Sequence, residues 1–140
     1  MNQLSKFNEA VEMRNEQQFS EILSHDSELS KECVPLLCKE LLSDWHELHE
    51  DIVFALQGLK DQRAVESIAK AIHIKFSHLI KWENYNEFAR KCTWALADIG
   101  SVKAKGVLLE LAQSNDGNIS NFAQQRIENW EKELKRKGCN

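Results

Sequence analysis

Two stretches of the chain repeat one another at an offset of 40 residues: "ALQGLKDQRAVESIAKA" (55–71) and "ALADIGSVKAKGVLLEL" (95–111). Ala55 falls on Ala95, Leu56 on Leu96, Leu59 on Ile99, Ala64 on Ala104 and Ile68 on Leu108. Apolar residues three and four apart on both sides of a short polar turn describe two helices and their connection. In each copy a basic residue, Arg63 or Lys103, precedes the alanine that opens the second helix. A second offset, of 31, relates Ala64, Val65, Ile68 and Ile72 to Cys33, Val34, Leu37 and Leu41. The same offset relates Phe88, Cys92 and Leu96 to Ile119, Ala123 and Ile127. The unit is therefore a helix pair of about 31 residues, and the longer step carries about nine extra residues, placed in "HLIKWENYN". One such pair cannot bury its apolar face alone, so the pairs must stack.

Local signals place the helices. Leu4, Phe7 and Val11 make one amphipathic face, and Phe19, Ile22 and Leu23 a second. The next helix opens at Ser27 or Ser30, with Pro35 either in its first turn or kinking it. Asp44 and Glu47 match a capping box, D-x-x-E, ahead of Leu48, Ile52, Leu56 and Leu59. Asp61 and Ser101 stand as N-caps, and Gly100 closes the helix that contains Phe88, Cys92 and Leu96. "SHLIKWENYN" breaks the period and reads as a loop or an extended helix end. The last helix runs through Ile119, Phe122, Ile127, Trp130 and Leu134, and ends on Lys135, Arg136 and Lys137, which suit a helix C-terminus. Trp94 and Trp130 read as core. One proline and five glycines are too few for the many turns of a β fold, so the class is all-α in a single domain.

"WALADIGSVKAKGVLLELA" (94–112) resembles a HEAT repeat, particularly the short HEAT-like units also seen in bilin lyases. The resemblance covers most of residues 30–130. Gly106 inside a second helix and Val102, where proline is common, depart from the pattern. The resemblance implies a right-handed α-solenoid of antiparallel helix pairs, about eight helices in all. It divides the chain into capping helices (1–26), a repeat core (27–114) with an insertion near 77–86, and a C-terminal capping helix (115–140).

The sequence pI near 5.7 argues against a protein that coats nucleic acid, and against the basic groove of HEAT-like DNA glycosylases. Residues 1–60 carry 12 acidic and 5 basic side chains, a balance of −7, while residues 61–140 carry 10 and 13, a balance of +3. An acidic half suits a basic partner. No apolar run reaches the length of a membrane span, and the start of the chain has no secretion signal, so the expected compartment is the cytoplasm. Cys33, Cys38, Cys92 and Cys139 form no C-x-x-C pair and read as reduced thiols, Cys33 and Cys92 at apolar positions.

The stretch "SDWHELHEDIV" (43–53) concentrates unusual chemistry. If it is helical throughout, His46, His49 and Glu50 share one face and offer metal-ligand types. In the HEAT family, deoxyhypusine hydroxylase holds two irons with His-Glu pairs on successive repeats. Here both pairs lie in one segment, and the equivalent positions one repeat later, Asn86 and Glu87, contain no histidine. A metal-dependent enzyme using His46, His49 and Glu50 is the alternative reading. The leading one is a recognition edge of Trp45, His46, His49, Glu50 and Asp51, extended by Trp82 and Tyr85 of the insertion, because tryptophan and tyrosine anchor interfaces. No catalytic residue, resident metal or cofactor is assigned. The chain also resembles small bacterial HEAT-like immunity proteins of contact-dependent toxin systems. That resemblance implies a monomer that binds a basic, nuclease-like toxin one to one, with no nucleic-acid or membrane partner. A regulatory HEAT adaptor of a cellular enzyme is the remaining alternative.

Overall fold

Short polar side chains fix where most helices begin. Asn2, Asn15, Ser30, Asp61, Ser101 and Asp116 each accept a hydrogen bond from a backbone amide two or three residues on, satisfying donors that a helix start leaves open. The computed structural model describes residues 2–25, 28–130 and 132. Among them are nine α-helices and no strand: α1 (Gln3–Glu12), α2 (Glu16–His25), α3 (Val34–Leu41), α4 (His49–Leu59), α5 (Val65–Ala71), α6 (Ser77–Lys81), α7 (Tyr85–Ile99), α8 (Val102–Leu111) and α9 (Gly117–Glu128). Single 3-10 turns, Lys31–Cys33 and Gln62–Ala64, lead into α3 and α5. Pro35 occupies the first turn of α3, where its missing N–H costs nothing. No described helix is long and apolar enough to cross a membrane.

The two copies of the repeat behave alike. Leu56 and Leu96 are fully buried, as are Ala64 with Ala104 and Ile68 with Leu108. Both first helices end on a left-handed residue, Lys60 (φ 52°) and Gly100 (φ 68°), whose amides donate to Leu56 and Leu96. Glycine takes that conformation freely, whereas Lys60 carries a steric cost of about 1 kcal/mol. The basic residue after each turn reaches back toward the preceding unit. Arg63 donates to the Lys31 carbonyl at 3.0 Å, and Lys103 pairs with Glu66 at 3.1 Å.

Contacts between helices fall into two rows. α1 packs on α3, α3 on α5 and α5 on α8; α2 packs on α4, α4 on α7 and α7 on α9. The rows meet through α1 with α2, α3 with α4, α5 with α7, and α8 with both α7 and α9. Positions 40 apart therefore lie in one row, as do positions 31 apart. The core between the rows is a single cluster that includes Phe7, Phe19, Leu37, Leu56, Ile68, Phe88, Leu96 and Leu108. Cys33, Cys38 and Cys92 are buried in it, and burial pushes the thiols of Cys38 and Cys92 up, away from the reactive thiolate form.

The segment "SHLIKWENYN" is not a loop throughout: it contains α6, which packs on α7 and accounts for the ninth helix. Glu83, at φ 56°, makes the turn that follows. Trp94 is only half-buried, with the Arg126 guanidinium 3.6 Å above its ring, whereas Trp130 packs against the core. Leu134, Cys139 and the basic turn Lys135–Lys137 lie outside the described residues.

Candidate functional site

The stretch at 43–53 is not one helix. α4 starts at His49 with Leu48 as its cap residue, and residues 43–48 form an irregular connection. The D-x-x-E capping box therefore does not form. What replaces it is set by the end of α3, whose last carbonyls lack partners within the helix. His46 Nε2–H donates to the Glu40 carbonyl at 2.8 Å, and His49 Nε2–H donates to the Ser43 carbonyl at 2.6 Å. Both bonds span six residues, so the H-x-x-H spacing matches two carbonyls three residues apart. The Trp45 indole donates to the Glu40 carboxylate at 2.6 Å, and the Glu47 amide donates to Glu16 at 2.6 Å. The Trp45 indole and both histidine rings are spent on holding the connection inward, while the Asp44 and Glu47 side chains face solvent.

These bonds fix the tautomers, because a carbonyl only accepts. His46 carries its proton on Nε2, and its Nδ1 accepts from the Leu48 amide at 3.0 Å. His49 also carries its proton on Nε2, so its Nδ1 accepts from His78 Nε2–H at 2.9 Å. His46 and His49 are 2% and 0% exposed. Their rings join a file through the core: Phe19 stacks on His46 at 5.9 Å, His46 on His49 at 4.5 Å, and His49 on Phe76 at 3.6 Å. Burial above all lowers the pKa of His49 to about 4, so it is neutral at physiological pH.

This placement corrects the shared-face expectation for His46, His49 and Glu50. Both His46 nitrogens are engaged by backbone, and the rings point toward α3 and α6. The Glu50 carboxylate instead accepts from Lys91 on α7 at 2.7 Å. Among the described residues no group of three His, Cys, Asp or Glu is placed to hold a metal ion. The recognition edge is also divided. His46 and His49 have no surface to present. Trp45 is half-buried and borders an open hollow of about 490 Å³ with Arg14, Asp44, Lys75 and Ser77. Tyr85 is half-buried and its hydroxyl donates to the Ile72 carbonyl at 2.8 Å. Trp82 is 64% exposed, with Lys81 Nζ 5.2 Å from its ring. Asp51 faces outward from the first turn of α4, and burial, then the neighbouring Glu50, raises its pKa.

Two neighbours of Asp51 were not singled out from the sequence. Phe54 is 76% exposed although it is flanked by the fully buried Val53 and Leu56. Asp51, Phe54 and Gly58 lie three and four residues apart, so they share the outer face of α4. They line an open groove of about 960 Å³, with Leu23, Leu29 and Glu28 on the side of α2 and the segment after it. A smaller hollow of about 200 Å³ on the other side of Phe54 is lined by Glu50, Gln57 and Lys91. A signal existed: Phe54 is an aromatic residue on the polar phase of an amphipathic helix.

Comparison with protein-family models, curated proteins and solved structures finds no match.

Proposed function

We propose that this chain is a HEAT-like solenoid of antiparallel helix pairs that works as a non-enzymatic protein-binding module. The observation that carries the reading is the pair of helix rows, in which repeat-equivalent helices touch in sequence. Such a stack uses one flank of each helix for its neighbour and leaves an extended outer face for a partner. The acidic first half, at −7 over residues 1–60, includes the residues of the α4 groove and selects for a basic protein. In its most specific form, following the resemblance to small bacterial immunity proteins, the partner is a basic toxin domain that the chain neutralises by covering its working surface. The chain would act as a monomer in a one-to-one complex, in the cytoplasm.

The test is recovery of that partner. Tagged protein purified from its source at about 0.05 M salt should retain a basic protein that is lost at about 0.5 M salt. The partner's association rate should fall by at least about tenfold across that range. Expressed alone, the partner should arrest bacterial growth, and co-expression should restore it. An acidic partner, or an association rate indifferent to salt, overturns the electrostatic reading. A basic partner that is harmless when expressed alone overturns the toxin role and favours a regulatory adaptor.

A further inference from the structure

A large aromatic side chain in water on a helix whose other face is fully packed calls for an explanation. Phe54 is that residue, at 76% exposed. Gly58 stands one turn further along the same face. A glycine inside a helix costs about 1 kcal/mol relative to alanine. Among the described residues nothing requires it, since a Cβ at Gly58 would meet no atom beyond its own helix backbone within 4 Å. The glycine leaves bare backbone on the face that also carries Phe54, and both line the groove. One turn on the other side stands Asp51, which takes part in no ion pair or hydrogen bond among the described residues, whereas its neighbour Glu50 is held by Lys91. Among the described residues that line the groove are two carboxylates, Asp51 and Glu28, and one lysine, Lys31. Leu23, Leu29 and Leu59 supply apolar lining among polar side chains.

Resting on the protein-binding reading above, we propose that the α4 groove is the recognition site and that it takes an arginine side chain from an apolar segment of the partner. The guanidinium is flat and carries five donors in a fork, so one face stacks on the Phe54 ring while its edge bonds the Asp51 carboxylate. The aliphatic stem lies over the bare backbone at Gly58, where a methyl group would lift it. The flanking apolar residues of the segment cover Leu23 and Leu29. Arginine fits better than lysine, because a compact ammonium cannot stack on the ring and fork onto the carboxylate together. The raised pKa of Asp51 agrees with a carboxylate that lacks a cation: burial and Glu50 raise it, and Lys91, already engaged with Glu50, offsets them only in part. An incoming guanidinium reverses that shift, so binding weakens as pH falls and Asp51 protonates.

The probe is acetyl-Leu-Arg-Leu-amide, compared with the same tripeptide carrying citrulline, lysine or norleucine in the centre, titrated into the full chain and followed by amide NMR. The expected result is saturable shifts confined to the amides around Asp51, Phe54, Gly58 and Leu29, with citrulline and norleucine weaker by about tenfold or more. Asp51→Asn should abolish the preference for arginine over citrulline, and Gly58→Ala should weaken the arginine peptide while raising thermal stability. Equal binding of the arginine and norleucine peptides, shifts centred elsewhere, or no shifts at millimolar peptide each overturn the assignment. A purified basic partner whose affinity is unchanged by Asp51→Asn and Phe54→Ala overturns the groove and leaves the binding-module reading standing. Binding of the arginine peptide with no protein partner recoverable does the reverse.

Discussion

Between pH 6.5 and pH 4 the protein is expected to lose about 3 kcal/mol of stability through His49 alone. His49 is fully buried, and burial lowers its pKa from 6.5 to about 4 in the folded state. The hydrogen bond to the Ser43 carbonyl and the nearby Asp44 favour the charged ring, but His46 and His78 oppose it, and burial dominates. Below pH 6.5 the unfolded chain takes up a proton that the folded chain refuses until about pH 4. The unfolded state therefore binds more protons throughout that window, and stability falls as pH falls. There is also a structural reason for the refusal. A proton added to His49 Nδ1 would face His78 Nε2 at 2.9 Å and would require His78 to move its own proton to Nδ1. Urea unfolding of the native chain and of His49→Gln, at steps from about pH 7.5 to about pH 4, checks this. The variant should start less stable, because Ser43 and Phe76 lose their partner, and should decline less steeply by about 3 kcal/mol. Parallel curves would show that His49 does not titrate as its burial demands.

The largest loss of stability is expected at the two leucines that the repeat places in register. Leu56 on α4 and Leu96 on α7 are fully buried in helices that pack on each other. Replacing either with alanine removes its transfer free energy and leaves a cavity, at a cost of about 2–5 kcal/mol. Domains of this kind have a total stability of about 5–15 kcal/mol, so either variant should shift the urea midpoint by a large fraction of its value. The two should fall by similar amounts, as equivalent positions of one repeat, and the double variant should depart from additivity because the leucines share one core. A loss below about 1 kcal/mol at either position would mean that the packing between α4 and α7 is not what holds the chain together.

Much of the fold was legible because it is encoded locally. The caps at Asp61 and Ser101, the left-handed end at Gly100 and the alternation of Leu56, Ile68, Leu96 and Leu108 each depend on residues within a turn or two. The connection at 43–48 departs from the capping-box rule because part of what holds it is distant in sequence: Phe19, Phe76 and His78 meet its histidines from 27 to 29 residues away. D-x-x-E satisfies the sequence rule for a cap, but a helix starting there could not bring His46 and His49 back to the carbonyls of Glu40 and Ser43. Two hydrogen bonds and a file of stacked rings outweigh one capping box. His78 was unreadable as their partner, since it lies 29 residues from His49 in a segment with no clear period. Phe54 was readable as a lone aromatic residue on the polar phase of an amphipathic helix, and its exposure follows from that phase.

The proposed recognition site is the outer face of α4, rather than the buried histidines. The most direct measurement is the dissociation constant of the purified partner for Phe54→Ala, taken beside the variant's thermal midpoint. Phe54 is largely exposed, so the midpoint should stay within about 1–2 °C of the native value, while affinity should drop by at least about thirtyfold, as for an aromatic anchor. Unchanged affinity at an unchanged midpoint would contradict the claim and move the binding surface off α4.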